Sequence, residues 1–387
     1  MYPQKILNIL IKTLGGFNIK LLISVGHPAH VHFFKNLIWN LEKKGHIVKI
    51  VARDKDVVLK LLDSYGFNYE VISSKGNNLI DLGIELLKRH FKLFKIVRDF
   101  KPNLIFSGFD PSVAQVGRIL HVPTIVFADN RPDVTKFPPI GPMVIPFVDT
   151  VLTLSTVEYD FGSKGIKMDG YKELAYLHPN IFKPDPMVIQ EAGLSKDEEF
   201  ALVRFVGLGA YHDIGGSGFD FDTKMELIQE IGAQVPVFIS SESKLPEQLE
   251  KYKLPVSPEK IHDLIYYSKL LICDSQTMAT EAAVLGTPAI RCNSFVGTKD
   301  MENFKELEQK YGLIFNYNDP EKAINKALEL LTVPNLKDEW SIKRKQMLQD
   351  KIDVTAFMTW LVENYLDRVH NMKLDPTIQR QFRSVVE

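Results

Sequence analysis

The stretch Asp274-Ser275-Gln276-Thr277-Met278-Ala279-Thr280-Glu281 brings together residue types suited to holding a nucleoside diphosphate. It follows the apolar run Leu270–Cys273, which reads as a buried parallel strand. Ser275 or Thr277, at the start of the helix that follows, can cap backbone N–H groups, and such N–H groups bind phosphate. Gln276 lies in the same turn, and Glu281 comes one helical turn after Thr277, where a carboxylate can accept both hydroxyls of a ribose. Gly286 closes the helix, and Thr287-Pro288-Ala289-Ile290 opens the next strand. An ordinary βαβ unit with a well-capped helix accounts for the same residues.

The first half of the chain offers different chemistry. Gly26–His32 holds three histidines in seven residues, just ahead of a helix, with His30 and His32 nearest its start. No Cys, Asp or Glu accompanies them and the spacing matches no zinc pattern, so no metal is assigned. A histidine acting in proton transfer or donating to a phosphate competes with one that merely caps the helix. Asp110 follows the strand Asn103–Ser107 and precedes Pro111, as an N-cap would. Asp129 ends the next strand, and two carboxylates on neighbouring strand ends can share proton transfer. Arg204 and the Tyr211-His212-Asp213 group stand at the first strand of the second half and the glycine-rich loop after it. That loop does not follow G-x-G-x-x-G, and no G-x-x-x-x-G-K-[ST] occurs, which disfavours a nicotinamide enzyme and an NTPase.

Positioning these residues falls to an alternation of short apolar runs with helical patterns from Asn18 onward, the mark of doubly wound parallel sheets. Strands are expected at 19–24, 46–52, 69–73, 103–107, 124–128 and 151–154, then at 200–206, 235–240, 270–273 and 289–292. The proline-bearing stretch 130–147 reads as a loop or lid, and 170–186 as a hinge. The expected architecture is α/β: two Rossmann-like domains facing a cleft, at 1–170 and 171–350, with a helix in 351–387 crossing back to the first. Ligands of such sheets gather beyond the carboxyl ends of the strands, where all these polar residues fall. The helix Leu86–Lys101 alternates lysines and arginines with Leu and Phe. It reads either as a solvated face or as a surface for anionic lipid.

The 387 residues, 45% hydrophobic and 25% charged, suit a two-domain globular chain. A net charge of −1 supplies no global field to recruit nucleic acid. Cys273 and Cys292, the only cysteines, lie in apolar runs and read as buried free thiols of a reducing cytoplasm. No apolar run approaches the roughly 20 residues of a membrane span. Membrane contact is therefore expected to be peripheral at most.

Asp274–Pro288 resembles the nucleotide-sugar-binding segment of GT-B enzymes, and in form the D-S-G-G-x-x-E-E-A run of non-hydrolysing UDP-N-acetylglucosamine 2-epimerases. The whole chain resembles the DUF354 family. The matching segments are His30-Val31-His32-Phe33-Phe34, Gly45-His46, Gly170–Leu177 and Pro258–Pro288. The resemblance implies a GT-B-like fold. It implies that Ser275 and Gln276 contact a donor diphosphate and Glu281 the ribose, with Gln276 standing where the epimerases have glycine. It matches Asp110 to the epimerase G-D-T aspartate and Asp129 to the glutamate of E-A-G, and it places His212 near the H-R-x-E-N segment. The function expected is glycosyl transfer from a nucleotide sugar, in the first instance a UDP-sugar, to an unknown acceptor, with His30 or Asp110 as base. No cofactor and no obligatory metal are called for. The alternatives are sugar 2-epimerisation and nucleotide-sugar binding without catalysis, and a homo-oligomer is left open.

Overall fold

In the strand Lys20–Val25 (β1) every residue after the first is buried, as a strand covered on both faces must be. The computed structural model describes residues 18–55, 57–74, 79–133, 140–206, 219–241, 244–297 and 300–383. The chain divides into two compact units. One comprises Met1–Thr153, Tyr159–Met168 and Thr355–Ile378; the other comprises Leu154–Glu158, Asp169–Val354 and Gln379–Glu387.

The first unit is built on seven strands: β1, Ile47–Asp54 (β2), Tyr69–Ser74 (β3), Leu104–Gly108 (β4), Thr124–Ala128 (β5), Thr150–Leu154 (β6) and Gly165–Met168 (β7). Their order is β3-β2-β1-β4-β5-β6-β7. β1 pairs in parallel with both β2 and β4, so the strand order reverses direction between β1 and β4. Helix Leu79–Phe100 packs Leu93, Ile96 and Val97 against Leu22, Val51 and Ile105 of the sheet. Helix Val354–Leu374 belongs to this unit. Its Tyr365 hydroxyl pairs with Thr150 Oγ1 at 2.8 Å, and its Glu363 receives Lys44 Nζ at 2.8 Å.

The second unit holds five parallel strands: Ala201–Phe205 (β8), Val237–Ser241 (β9), Leu270–Cys273 (β10), Ala289–Cys292 (β11) and Ile314–Tyr317 (β12). Their order is β12-β11-β10-β8-β9, which puts the reversal between β8 and β10. Helix Gln276–Leu285, rich in alanine, fits closely over β10 and β11, and Ala279, Ala282 and Ala283 are fully buried. It ends at Gly286, whose φ of 77° is a left-handed conformation that glycine adopts without strain.

Three elements differ from the sequence pattern. β7 and β12 escape notice because they are only partly buried and so write no continuous apolar run, unlike the equally short β10 and β11. The stretch 130–147 includes helix Ile140–Val144, with Gly141 and Val144 buried; residues 134–139 lie outside the described ones. Gly170–Leu177, where the expected hinge opens, follows the Met168/Asp169 boundary between the two units and is itself packed. Tyr171 is 1% exposed, helix Leu174–Leu177 is wholly buried, and Gly170 lies against Val354.

Candidate functional site

At the reversal point of the second sheet the strand ends are tied together. Asp274 Oδ1 accepts the N–H of Val206, just past β8, at 2.8 Å, and its carbonyl accepts Asn293 Nδ2 at 3.0 Å. Burial pushes the Asp274 carboxyl up to about 6 against these hydrogen bonds, so it gains a proton far more readily than an exposed aspartate. Ser275 is the N-cap of the next helix, its Oγ accepting the Met278 N–H at 3.3 Å. Gln276 and Thr277, the first two helical residues, are half-buried. The helix therefore presents a capped amino end at the carboxyl edge of the sheet, where its dipole favours an anion.

Glu281 lies deeper. It is 4% exposed, and its Oε1 accepts the Tyr176 hydroxyl at 2.8 Å and faces His262 Nε2 at 3.0 Å. Three segments thus converge on one carboxylate: Leu174–Leu177, Ile261–Tyr267 and Gln276–Leu285.

The strand register explains where Arg204 stands. Ser240, Arg204, Cys273, Arg291 and Asn316 pair across neighbouring strands as one row, so their side chains share a face of the sheet. Arg204 donates through Nη1 to Ser240 Oγ at 2.8 Å. Arg291, fully buried, donates through Nε to Asn316 Oδ1 at 2.8 Å and is ion-paired with Asp300. Its guanidinium also stacks over Phe304, 3.7 Å from the ring centroid. Burial pulls the pKa of Arg291 down, and Asp300 opposes that pull. Arg204 and Arg291 thus flank Cys273, and of the two Arg291 is neutralised by Asp300. His212 falls within 207–218, outside the described residues.

In the first unit, the reversal between β1 and β4 gathers His30 and Asp110. A Cβ added to Gly108 would lie 2.1 Å from His30 Cε1, so the imidazole is seated directly on the glycine that ends β4. His30 Nδ1 faces the Gly26 N–H at 3.5 Å. His27 is the helix N-cap, accepting the Ala29 N–H at 3.2 Å, and His32 Nδ1 pairs with the Tyr65 hydroxyl at 3.2 Å. The three histidines therefore have three separate occupations. Among the described residues no three His, Cys, Asp or Glu side chains cluster as a metal site.

Asp110 caps helix Pro111–Ile119, accepting the Ser112 N–H at 2.7 Å, and its Oδ2 lies 3.3 Å from Arg89 Nη1. Arg89 also donates to Ser112 Oγ at 3.0 Å. Asp129 follows β5 and is half-buried. Since Gly108 pairs with Phe127, Asp110 and Asp129 sit two residues beyond the same register pair on neighbouring strands.

Sequence reasoning passed over Tyr176, His262, Arg291, Arg89 and Gly108. Tyr176 and His262 lie inside two of the segments that carry the family resemblance, but neither has a local signature. Arg291 is defined by pairing across strands, Arg89 by the packing of its helix against Asp110, and Gly108 by the ring of His30 seated on it.

The family described as a protein of unknown function, DUF354, matches residues 19–367. The chain belongs to the DUF354 family. A relative from Methanocaldococcus jannaschii, the uncharacterized protein MJ0665, is 24% identical over 283 residues, covering 71% of this chain and 82% of that protein. Among solved structures, the UDP-N-acetylglucosamine 2-epimerase of Rickettsia bellii superposes with a TM-score of 0.61 at 15% identity, over 91% of this chain and 99% of that one. The S. aureus MnaA–UDP structure gives 0.65 at 14% identity, over 91% and 98%. The Streptomyces sp. SF2575 glycosyltransferase SsfS6, solved with thymidine diphosphate, gives 0.58 at 12% identity, over 90% and 100%. At these identities the likeness is one of fold, and the DUF354 chain has the α/β, GT-B-like architecture of two Rossmann-like domains.

Proposed function

We propose that this DUF354 protein is a nucleotide-sugar-dependent glycosyltransferase whose donor diphosphate binds at the carboxyl edge of the second sheet. One observation carries the reading: the Ser275-capped helix begins where the strand order reverses between β8 and β10, the place at which doubly wound sheets hold their ligands. Backbone N–H groups at Ser275, Gln276 and Thr277 would receive the diphosphate, and Arg204 would add positive charge; His212 lies outside the described residues. Glu281, held in orientation by Tyr176 and His262, is the group for the ribose hydroxyls. The same helix dipole and guanidinium would stabilise the departing nucleoside diphosphate, without an obligatory metal. That two structural neighbours were solved with UDP and with thymidine diphosphate supports the donor class.

Proton handling falls to His30 and Asp129. Asp110 has its two oxygens engaged by the Ser112 N–H and Arg89, which suits a positioning role better than that of a base. The matched placement of Asp110 and Asp129 is what favours the second reading, sugar 2-epimerisation through shared proton transfer. A thermal-shift panel of nucleoside diphosphates and nucleotide sugars tests the proposal, because a ligand at a hundred times Kd adds about 2.7 kcal/mol of apparent stability. A panel without any shift would end it. Among the compounds that bind, consumption only with an acceptor marks the transferase, release of free nucleoside diphosphate without one favours the epimerase or a hydrolase, and binding without turnover marks a scaffold.

A further inference from the structure

Large apolar side chains exposed one at a time need no explanation, but three on one stripe of a helix do. On helix Leu79–Phe100, Ile84, Leu87 and Phe91 are 46%, 62% and 77% exposed. The same outward face carries Lys88, Lys95 and Arg98, all exposed. At roughly 100° per residue these six side chains fall within about 100° of the helix circumference. The inward face of the helix is fully employed. Leu93, Ile96 and Val97 fill the core, and Glu85 and Arg89 bind Arg53 and Asp110. Among the described residues the outward face thus meets no partner, and no helix among them is long and apolar enough to cross a membrane.

We propose that this face of Leu79–Phe100 docks the protein onto an anionic lipid surface. Aromatic and aliphatic side chains interleaved with lysine and arginine are the chemistry of an interfacial helix: the apolar groups enter the acyl boundary while the cations meet headgroup phosphates. Asp99 lies beside Arg98 at 3.1 Å and one turn after Lys95, whereas Lys88 has no acid within the stripe. A groove of about 540 Å³ runs along the flank and is lined by Lys49, Lys92 and Lys95 with Glu70 and Asp99, so it offers one net positive charge beside the stripe. Charge complementarity selects the occupant. A second copy would set cations against cations across the stripe, whereas an anionic leaflet neutralises them. The chain as a whole carries a net charge of −1, so the attraction is local to this face.

The test is sedimentation of the full chain with vesicles of phosphatidylcholine alone and of phosphatidylcholine with one third phosphatidylglycerol, at low and at high salt. The expected result is partition onto the anionic vesicles that weakens as salt rises. Lys88→Gln with Lys95→Gln should reduce it roughly 30-fold. Phe91→Ser should reduce it by about tenfold or more. Both variants alter exposed side chains only and should keep the wild-type unfolding midpoint. No partition at low salt, or equal partition by wild type and variants, overturns the proposal. So does a self-association in light scattering that Phe91→Ser abolishes while vesicles bind nothing, which would assign the face to a second copy.

Discussion

Asp274 Oδ1 accepts the Val206 N–H at 2.8 Å and so joins the ends of β10 and β8, the two strands between which the second sheet reverses its order. A buried carboxylate there holds open the edge at which the Ser275-capped helix begins. Keeping it ionised has a cost that can be measured.

That cost has a defined pH window. The folded-state pKa of Asp274 is raised from 3.8 to about 6, so the folded protein binds this proton more tightly than the unfolded chain. The destabilisation is complete above about pH 6 and is relieved as pH falls toward 4. Asp274→Asn keeps an acceptor for Val206 and removes the buried charge. It should be more stable than wild type at pH 7, by about 3 kcal/mol at most, and the difference should shrink toward pH 4. Denaturant unfolding at both pH values checks this, and a difference independent of pH would contradict it.

Glu281 separates binding from folding through two substitutions. Glu281→Gln retains an oxygen for Tyr176 or His262 but loses the charge, and should weaken nucleoside diphosphate-sugar binding by about 1–3 kcal/mol. Glu281→Ala should in addition lower stability, since it strands the Tyr176 hydroxyl and His262 in a buried setting. Calorimetry with unchanged affinity in both variants would confine Glu281 to a structural part.

Gly108→Ala should displace His30, because the new Cβ would sit 2.1 Å from its ring. Turnover on a substrate found by the ligand panel should fall about 100-fold. The ring-nitrogen signals of His30 in long-range proton–nitrogen correlation spectra should shift at the same time. Wild-type turnover in a folded Gly108→Ala protein would remove His30 from the chemistry.

Arg291→Met leaves Asp300, itself 7% exposed, as a buried and unpaired carboxylate. A loss of about 3–5 kcal/mol is expected in denaturant unfolding. Much of it should return when Asp300→Asn is added. If the double variant is no more stable than the single one, the ion pair is not the source of the loss.

The two sheets were legible because a buried parallel strand writes itself as an apolar run, as in Leu270–Cys273 and Leu104–Gly108. Helix starts at Asp110 and Ser275 were legible for a similar reason, since caps are short-range chemistry. What the sequence could not display are relations set by register and packing. The row from Ser240 to Asn316 exists only once five strands have paired. Tyr176 and Glu281 meet across 105 positions of chain. The same limit explains Asp110. Capping explained Asp110 from the sequence alone and the base role came with the resemblance, while the second partner, Arg89, comes from the helix before its strand.

Cys273 and Cys292 are both buried, with thiol pKa values driven upward by desolvation, that of Cys292 to about 12. Thiolate is the reactive form, so in the folded protein neither sulfur competes for a maleimide or an iodoacetamide. The native chain is therefore a silent background for site-specific labelling. One cysteine installed on an exposed face would carry a fluorophore or a spin label alone, with no need to remove either natural thiol.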